Sequence, residues 1–286
     1  MRVVVTGATG FIGSHVAAAL EARGATVVPL VRPLDYHDAQ TAGALLDRES
    51  PATLVHCAWR LAPGSTYLND PANADEVAAS LQLFRLAADS GCTRIVGLGT
   101  CLEYSPSDVP LSEDAPLEPR NAYASSKVAL FREAESWVGG SNARLAWARL
   151  YFPYGPGERA HRLVPSVVTA LLRGERVATT AGTQRRSFLY AADVGDAIAA
   201  LALSSVDGAV NIGARDVVAV RDVVHRIGEL SGRRELLDIG ALPTRPGDPD
   251  TLWPDVDKLA SAVGWRPSRD LTAGLRETIA WWRSQM

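Results

Sequence analysis

Tyr123 and Lys127 lie four residues apart in the segment Tyr123-Ala124-Ser125-Ser126-Lys127. On a helix, this spacing places a phenol and an ammonium group on one face. Of the 29 lysine and arginine residues, only Lys127 and Lys258 are lysines, so arginine supplies nearly all the positive charge. A lysine one turn after a tyrosine therefore indicates a specific role. A nearby cation stabilises a phenolate, so we expect Lys127 to lower the pKa of Tyr123 and make it a usable proton donor.

Thr100 directly follows the apolar run Arg94–Gly99, which we predict to be a strand. At the end of that strand its hydroxyl can hydrogen-bond a substrate carbonyl next to Tyr123. The predicted catalytic residues are therefore Thr100, Tyr123 and Lys127.

The start of the chain carries a second motif, in which Gly7, Gly10 and Gly13 follow the β-branched run Val3–Val5. Glycines between a first strand and a first helix let the backbone approach a pyrophosphate, which the helix amides then bind. The motif predicts a dinucleotide site, with contacts from the following residues: Gly7, Thr9, Gly10, Phe11, Ile12 and Gly13.

The end of the second predicted strand, Thr26–Val31, distinguishes the two nicotinamide dinucleotides. An acid at this position binds the ribose 2′-hydroxyl of NAD, whereas an arginine accommodates the 2′-phosphate of NADP. The chain has Val31-Arg32 here. The sequence thus favours NADP(H), with NAD(H) as the alternative if Arg32 is only a surface charge.

Short β-branched runs alternate with longer helical patterns up to residue 150, which predicts an α/β fold with a doubly wound parallel Rossmann sheet. We expect helices at Ile12–Arg23, Asp75–Ser90 and Ala122–Val138, and further strands at Thr53–Ala58 and Arg144–Leu150. Residues 1–150 form the predicted dinucleotide-binding core. We predict that Phe152–Gly157 is a loop, that 188–214 returns to the core sheet, and that 151–187 and 215–286 form a smaller, discontinuous substrate lobe.

Composition excludes several classes of protein. The net charge of −3 comes without a basic stripe, which argues against nucleic acid and membrane surfaces as partners. Three cysteines and five histidines show no metal-ligand spacing, so we expect no metal and a reducing compartment, with the cytoplasm as the default. Because a predicted strand begins at the start of this sequence, we expect no signal peptide.

Four motifs together resemble the extended short-chain dehydrogenases/reductases of the nucleotide-sugar epimerase/dehydratase family. They are Gly7-Ala8-Thr9-Gly10-Phe11-Ile12-Gly13, Thr100 with Tyr104, the Tyr123–Lys127 segment, and Arg245-Pro246-Gly247-Asp248. The resemblance implies that Asp35 contacts the adenine amine and that Arg186 and Arg245 bind the diphosphate of a nucleotide sugar. It also implies a homodimer packed through the helix that bears Tyr123. We further assign Tyr36 and Ala58 to the cofactor site.

The chain departs from the family pattern at the substrate side. Cys101 and Leu102 stand where sugar-nucleotide 4,6-dehydratases carry an Asp-Glu pair, which argues against dehydration. Cys101 is either an acid/base group or a packing residue. Phe152 replaces a substrate-binding asparagine of the family, and Trp59, which follows a strand end, is expected to line the sugar site.

These observations predict an NADPH-dependent reductase of a nucleotide-activated 4-keto-(6-deoxy)hexose. Hydride transfer to C4 would be accompanied by a proton from Tyr123. The alternatives are a nucleotide-sugar 4-epimerase, an NAD-dependent nucleotide-sugar dehydrogenase, or a cofactor-sensing protein without turnover. An intact Thr100, Tyr123 and Lys127 set argues against the sensor, which needs no proton donor.

Overall fold

A computed structural model describes residues 1–32, 35–60, 66–244 and 249–286. The described strands are β1 (Arg2–Thr6), β2 (Thr26–Leu30), β3 (Thr53–His56), β4 (Arg94–Thr100), β5 (Arg144–Leu150), β6 (Phe152–Tyr154), β7 (Val177–Thr179), β8 (Arg185–Arg186), β9 (Phe188–Tyr190), β10 (Gly208–Ile212), β11 (Val218–Ala219), β12 (Leu237–Ile239) and β13 (Thr251–Leu252). The described α-helices are α1 (Phe11–Ala22), α2 (Ala39–Glu49), α3 (Ala72–Asp89), α4 (Ala122–Val138), α5 (Leu163–Leu172), α6 (Ala191–Leu203), α7 (Val220–Ser231), α8 (Asp257–Ser261) and α9 (Leu271–Ser284). Short 3₁₀ helices occupy Thr66–Asn69, Cys101–Glu103 and Arg234–Leu236.

The central sheet has six parallel strands in the order β10-β5-β4-β3-β1-β2. Parallel strands need crossover connections, and helices on both faces provide them here. The predicted α/β fold is therefore confirmed. Helix α4 and strand β5 have the predicted bounds, while α3 begins three residues earlier than predicted, at Ala72.

Alternating residues of β1 enter two separate cores, because successive side chains of a strand point to opposite faces. Val3 and Val5 pack in one cluster with residues of α1 and α6, and Val4 packs in the other with residues of α2, α3 and α4. A third cluster joins α5, α7 and α9. The carboxyl ends of the sheet strands are thereby fixed at one edge, where α/β folds bind their ligands.

Two predictions beyond residue 150 are wrong in part. Phe152–Tyr154, predicted as loop, is strand β6, which pairs in parallel with β9. The segment 188–214 was predicted to return to the core sheet; within it β9 lies in that separate two-stranded sheet, while α6 packs on α1 of the core. Only β10 rejoins the central sheet, next to β5. The division into a core and a substrate lobe stays a prediction.

Candidate active site

The turn after β1 forms a cradle in which Gly7 and Gly13 are sterically required. Gly7 has φ +63°, and the N–H of Gly10 donates to the Gly7 carbonyl at 2.8 Å. A Cβ placed on Gly13 would lie 2.0 Å from the same carbonyl oxygen. Helix α1 starts directly behind this turn, and its first turn contains no acidic residue. Free amides at a helix N-terminus attract an anion, so the cradle fits a dinucleotide pyrophosphate.

A buried chain of hydrogen bonds joins the ends of β1 and β3 behind the cradle. The Thr6 hydroxyl accepts from the Ala58 N–H at 3.1 Å and lies 2.8 Å from His56 Nδ1. His56 Nε2 lies 2.9 Å from the Ser80 hydroxyl, which donates to the Glu76 carbonyl. Burial lowers the pKa of His56 to about 3, so the ring is neutral and serves as a link rather than a base. Ala58, a predicted cofactor contact, is held in place by this chain.

Arg32 is exposed immediately after β2, at the predicted place for the cofactor ribose. Nearby, the Asp35 carboxylate accepts from the backbone N–H of His37 at 3.0 Å and pairs with Arg60 at 3.0 Å. The hydrogen bond from His37 and the charge of Arg60 lower the pKa of Asp35. Sequence reasoning did not identify Arg60, which lies 25 residues from its partner.

A buried carboxylate on α3 organises the same region. Glu76 accepts from the Tyr36 hydroxyl and from the Arg60 backbone N–H, the latter at 3.1 Å. His37 Nε2 lies 2.8 Å from the other Glu76 oxygen. Burial and Glu76 raise the pKa of Tyr36, so this phenol stays protonated. Tyr36 was predicted to contact the cofactor, and its hydroxyl is committed to Glu76.

Tyr123 and Lys127 lie on the first two turns of α4, which packs against β4 and against Cys101–Glu103. The helix begins after Asn121, whose side chain accepts from the Ala124 N–H at 2.9 Å. Lys127 is 3 % exposed, and its Nζ lies 5.7 Å from the centre of the Tyr123 ring. Thr100 ends β4 and caps the short helix that follows it.

The pKa values of this pair depend mainly on burial. Burial raises the pKa of Tyr123, and the neighbouring Tyr67 and Glu103 add to the rise, while Arg162 lowers it. Burial lowers the pKa of Lys127 to about 7. Burial is therefore the largest influence on the pKa of Tyr123 in this structure, and the lowering of that pKa by Lys127 stays a prediction. Tyr123 holds its proton at neutral pH.

An ion pair lies directly beneath Thr100. The Glu103 carboxylate, fully buried, accepts from Arg149 Nε at 2.7 Å, from Trp147 Nε1 at 3.1 Å and from the Thr100 N–H at 2.8 Å. Arg149 also donates to the Tyr104 hydroxyl at 2.9 Å. Because the Glu103 carboxylate accepts hydrogen bonds from the backbone of Thr100 and from the side chains of Arg149 and Trp147, it fixes the end of β4. Sequence reasoning missed this pair, although an arginine inside an apolar strand was a usable signal.

The predicted substrate residues lie in three different settings. Cys101 and Leu102 belong to a small apolar cluster, and burial raises the pKa of the Cys101 thiol to about 12. This setting favours the packing role for Cys101 over an acid/base role. Arg186 is buried over the Phe152 ring and donates to the Pro249 carbonyl at 2.6 Å. Arg245 lies outside the described residues.

Trp59 was expected to line the sugar site, but its indole lies over the ammonium of Lys127, 3.5 Å from Nζ. The loop after β6 adds an unexpected neighbour. Arg162 directly precedes α5, and its charge lowers the pKa of Tyr123. Its Nε lies 3.8 Å from the carboxylate of Glu158. Glu158 is buried, and burial raises its pKa to about 8.

Across the described ranges, no group of three or more histidine, cysteine or acidic side chains is arranged to hold a metal ion. No helix in the part of the chain that the structure describes is long and apolar enough to cross a membrane.

Known proteins resemble this chain over nearly its whole length. A UDP-glucose 4-epimerase of Azospirillum brasilense is 29 % identical, covering 99 % of this chain and 92 % of the relative. A dTDP-6-deoxy-L-talose 4-dehydrogenase (NAD(P)(+)) of Kitasatospora kifunensis is 31 % identical, covering 96 % and 94 %. The crystal structure of the Thermus thermophilus UDP-glucose 4-epimerase in complex with NAD superimposes with a TM-score of 0.89, at 25 % identity and full coverage of both chains.

The sequence model of the NAD dependent epimerase/dehydratase family matches residues 3–213, which include the glycine cradle, Thr100, Tyr123 and Lys127. With that match and the geometry of the site, the chain belongs to this family and is an NAD(P)-dependent enzyme of the extended short-chain dehydrogenase/reductase type.

Proposed function

We propose that the protein reduces a nucleotide-activated 4-keto-(6-deoxy)hexose at C4 with NADPH. The observation that carries this proposal is the placement of Tyr123 on α4 one helical turn from Lys127, whose Nζ lies 5.7 Å from the centre of the Tyr123 ring, in a buried setting that keeps the phenol protonated until the substrate oxygen needs a proton. The glycine cradle after β1 would hold a reduced nicotinamide dinucleotide, which would supply the hydride. Tyr123 then gives its proton to the oxygen of the former carbonyl, and Thr100 orients that oxygen from the end of β4. The ammonium of Lys127 stabilises the phenolate that remains.

The substrate side supports a reductase rather than a dehydratase. Elimination of water needs an acid/base pair, and the chain has Cys101 and Leu102 where dehydratases carry two acids. Arg186 and Arg245 are proposed to hold the diphosphate, since guanidinium groups pair with two oxygens at once. Arg186 donates to the backbone carbonyls of Pro249 and Asp250. The relative from Kitasatospora is named as a 4-dehydrogenase of a dTDP-6-deoxy sugar, which is the same class of redox reaction at C4.

The direct test is to mix the purified protein with NADPH and a nucleotide-linked 4-keto-6-deoxyhexose and to follow NADPH absorbance and product together. We expect one NADPH to be consumed for each C4 alcohol formed. A protein that carries bound NAD and interconverts two C4-epimeric nucleotide sugars without added cofactor would instead be a 4-epimerase. The likeness to two UDP-glucose 4-epimerases makes this the second candidate.

Arg32 should set the choice of cofactor. No carboxylate stands at the end of β2 to bind a 2′-hydroxyl, and the exposed guanidinium can pair with a 2′-phosphate. We expect wild-type protein to bind NADPH more tightly than NADH. Arg32→Ala should weaken NADPH binding by about 1.5–3 kcal/mol, the range for hydrogen bonds to charged groups, and leave NADH unchanged.

Titration of both cofactors by fluorescence or calorimetry measures this difference. Arg23→Ala is the matched control. Arg23 is likewise an arginine at the protein surface, where it pairs with Asp196 at 2.7 Å. An unchanged NADPH affinity in Arg32→Ala would show that this side chain points to solvent.

We further propose that the enzyme is a cytoplasmic homodimer, as its resemblance to the family implies, with α4 at the subunit interface. Sedimentation of the purified protein tests the oligomeric state.

A further inference from the structure

The ammonium group of Lys127 lies over an aromatic ring rather than against a carboxylate. Its Nζ is 3.5 Å from the centre of the Trp59 ring, well inside the roughly 6 Å range of a cation–π interaction. The indole is itself fixed, because its Nε1 donates to the Asn73 side-chain oxygen at 2.9 Å. Asn73 is buried and donates to the carbonyls of Tyr67 and Asp70 at 2.7 Å and 2.9 Å. The ring therefore has little freedom to leave the cation.

The charged groups around Lys127 are occupied by other partners. Glu103 and Glu76 both favour the charged form of the lysine, yet each carboxylate is hydrogen-bonded elsewhere. Glu103 is bound by Arg149, Trp147 and the Thr100 N–H, and Glu76 by Tyr36 and the Arg60 N–H. Within the described ranges, neither carboxylate forms a hydrogen bond or ion pair with Lys127.

Among the described residues, the other titratable neighbours of Lys127 supply no counter-charge. Cys57 and His56 lie at the end of β3, and burial keeps the thiol and the imidazole neutral at physiological pH. Tyr123, on the same helix as Lys127, is a protonated phenol. Among the described residues, the Trp59 indole face is thus the group in direct contact with Nζ that favours the ammonium over the amine.

We propose that Trp59 is a positioning residue for Lys127: its indole face binds the ammonium and keeps it charged in a dehydrated site. The functional part of this inference rests on the proposed reductase activity, in which the ammonium stabilises the Tyr123 phenolate. The contact opposes the effect of burial, which by itself favours the neutral amine. Removing the aromatic face while keeping the site dry should therefore lower the pH at which Lys127 loses its proton.

The chain suits a direct measurement, because it contains only two lysines. Lysine labelled with ¹³C at Cε gives two signals by NMR, and Lys258→Arg removes one of them and so assigns the other to Lys127. The titration is recorded for wild type, Trp59→Leu and Trp59→Phe. Leucine keeps an apolar side chain without a π face, whereas phenylalanine keeps an aromatic face.

We expect the Lys127 midpoint to fall by roughly 0.5–1.5 pH units in Trp59→Leu and by clearly less in Trp59→Phe. The alkaline limb of kcat/KM should move to lower pH by the same amount, because the reaction needs the charged lysine.

If Trp59→Leu does not fold, wild-type protein made with trifluorotryptophan provides the test, since fluorine weakens the π face with little change of shape. Trp59→Phe made with the same amino acid controls for the six other tryptophans and should show no further shift.

The possible results separate the two proposals. A midpoint that is equal in wild type, Trp59→Leu and fluorinated protein overturns the role of Trp59, even when the enzyme reduces the 4-keto sugar. A midpoint that falls in a protein that does not turn over this substrate supports the role of Trp59 and overturns the proposed function.

Discussion

Replacing Tyr123 with phenylalanine should lower kcat on the order of 10²–10⁴-fold, because the reaction loses its positioned proton donor. The substitution removes one oxygen and keeps the ring, which lies edge-on to Trp59 at 6.0 Å and to Tyr67 at 5.3 Å. The glycine cradle is untouched. We therefore expect NADPH to bind with nearly wild-type affinity, measured by fluorescence titration beside steady-state kinetics with the 4-keto sugar.

Tyr190→Phe is the control for this experiment. Burial also raises the pKa of Tyr190, but its hydroxyl donates to Glu277 at 2.8 Å, on α9. We expect this variant to keep the wild-type kcat. Near-normal turnover by Tyr123→Phe would remove Tyr123 from the mechanism, and an equal loss in both variants would point to a general effect on the fold.

Replacing Arg149 with methionine should destabilise the protein by about 3–5 kcal/mol, because it leaves the Glu103 carboxylate buried without its cationic partner. Both side chains are almost completely buried, Arg149 at 2 % exposure and Glu103 at 0 %. Arg144→Met is the matched control on the same strand. Its side chain is 51 % exposed and pairs with Asp207 on the surface, so its loss should cost at most about 1 kcal/mol. Denaturant unfolding measures both values.

The pH dependence of the Arg149→Met variant gives a second test. Burial raises the pKa of Glu103, and Arg149 is the largest influence that lowers it again. Without Arg149 the folded-state pKa rises further above the unfolded value of about 4.3. An acid whose pKa is raised in the folded state favours folding at low pH. The loss of unfolding free energy relative to wild type should therefore be smallest below about pH 4. It should grow as the pH rises through the folded-state pKa of Glu103. A deficit that is independent of pH would mean that lost packing, not the uncompensated charge, is the cause.

The sequence alone determined the features that depend on local pattern. The βαβ unit at the start of the chain, the bounds of α4 and β5, and the spacing of Tyr123 and Lys127 on one helical face follow from periodicity and from the glycine turn. The glycine turn can be predicted from the sequence for a steric reason. A Cβ on Gly13 would collide with the Gly7 carbonyl, so the conformation of the turn requires glycine at this position.

Only the tertiary structure decided what depends on contacts between distant residues. Strand β6 is three residues long and exists because it pairs with β9, more than 30 residues away, so its own sequence carries no strand pattern. The pairing of Glu103 with Arg149 spans 46 residues, and the contact of Trp59 with Lys127 joins a strand end to a helix. Burial then set the protonation of the site, since the same tyrosine and lysine that spacing identified have a raised and a lowered pKa once dehydrated. Residue types can be read along the chain, but solvent exposure and long-range partners are properties of the folded molecule.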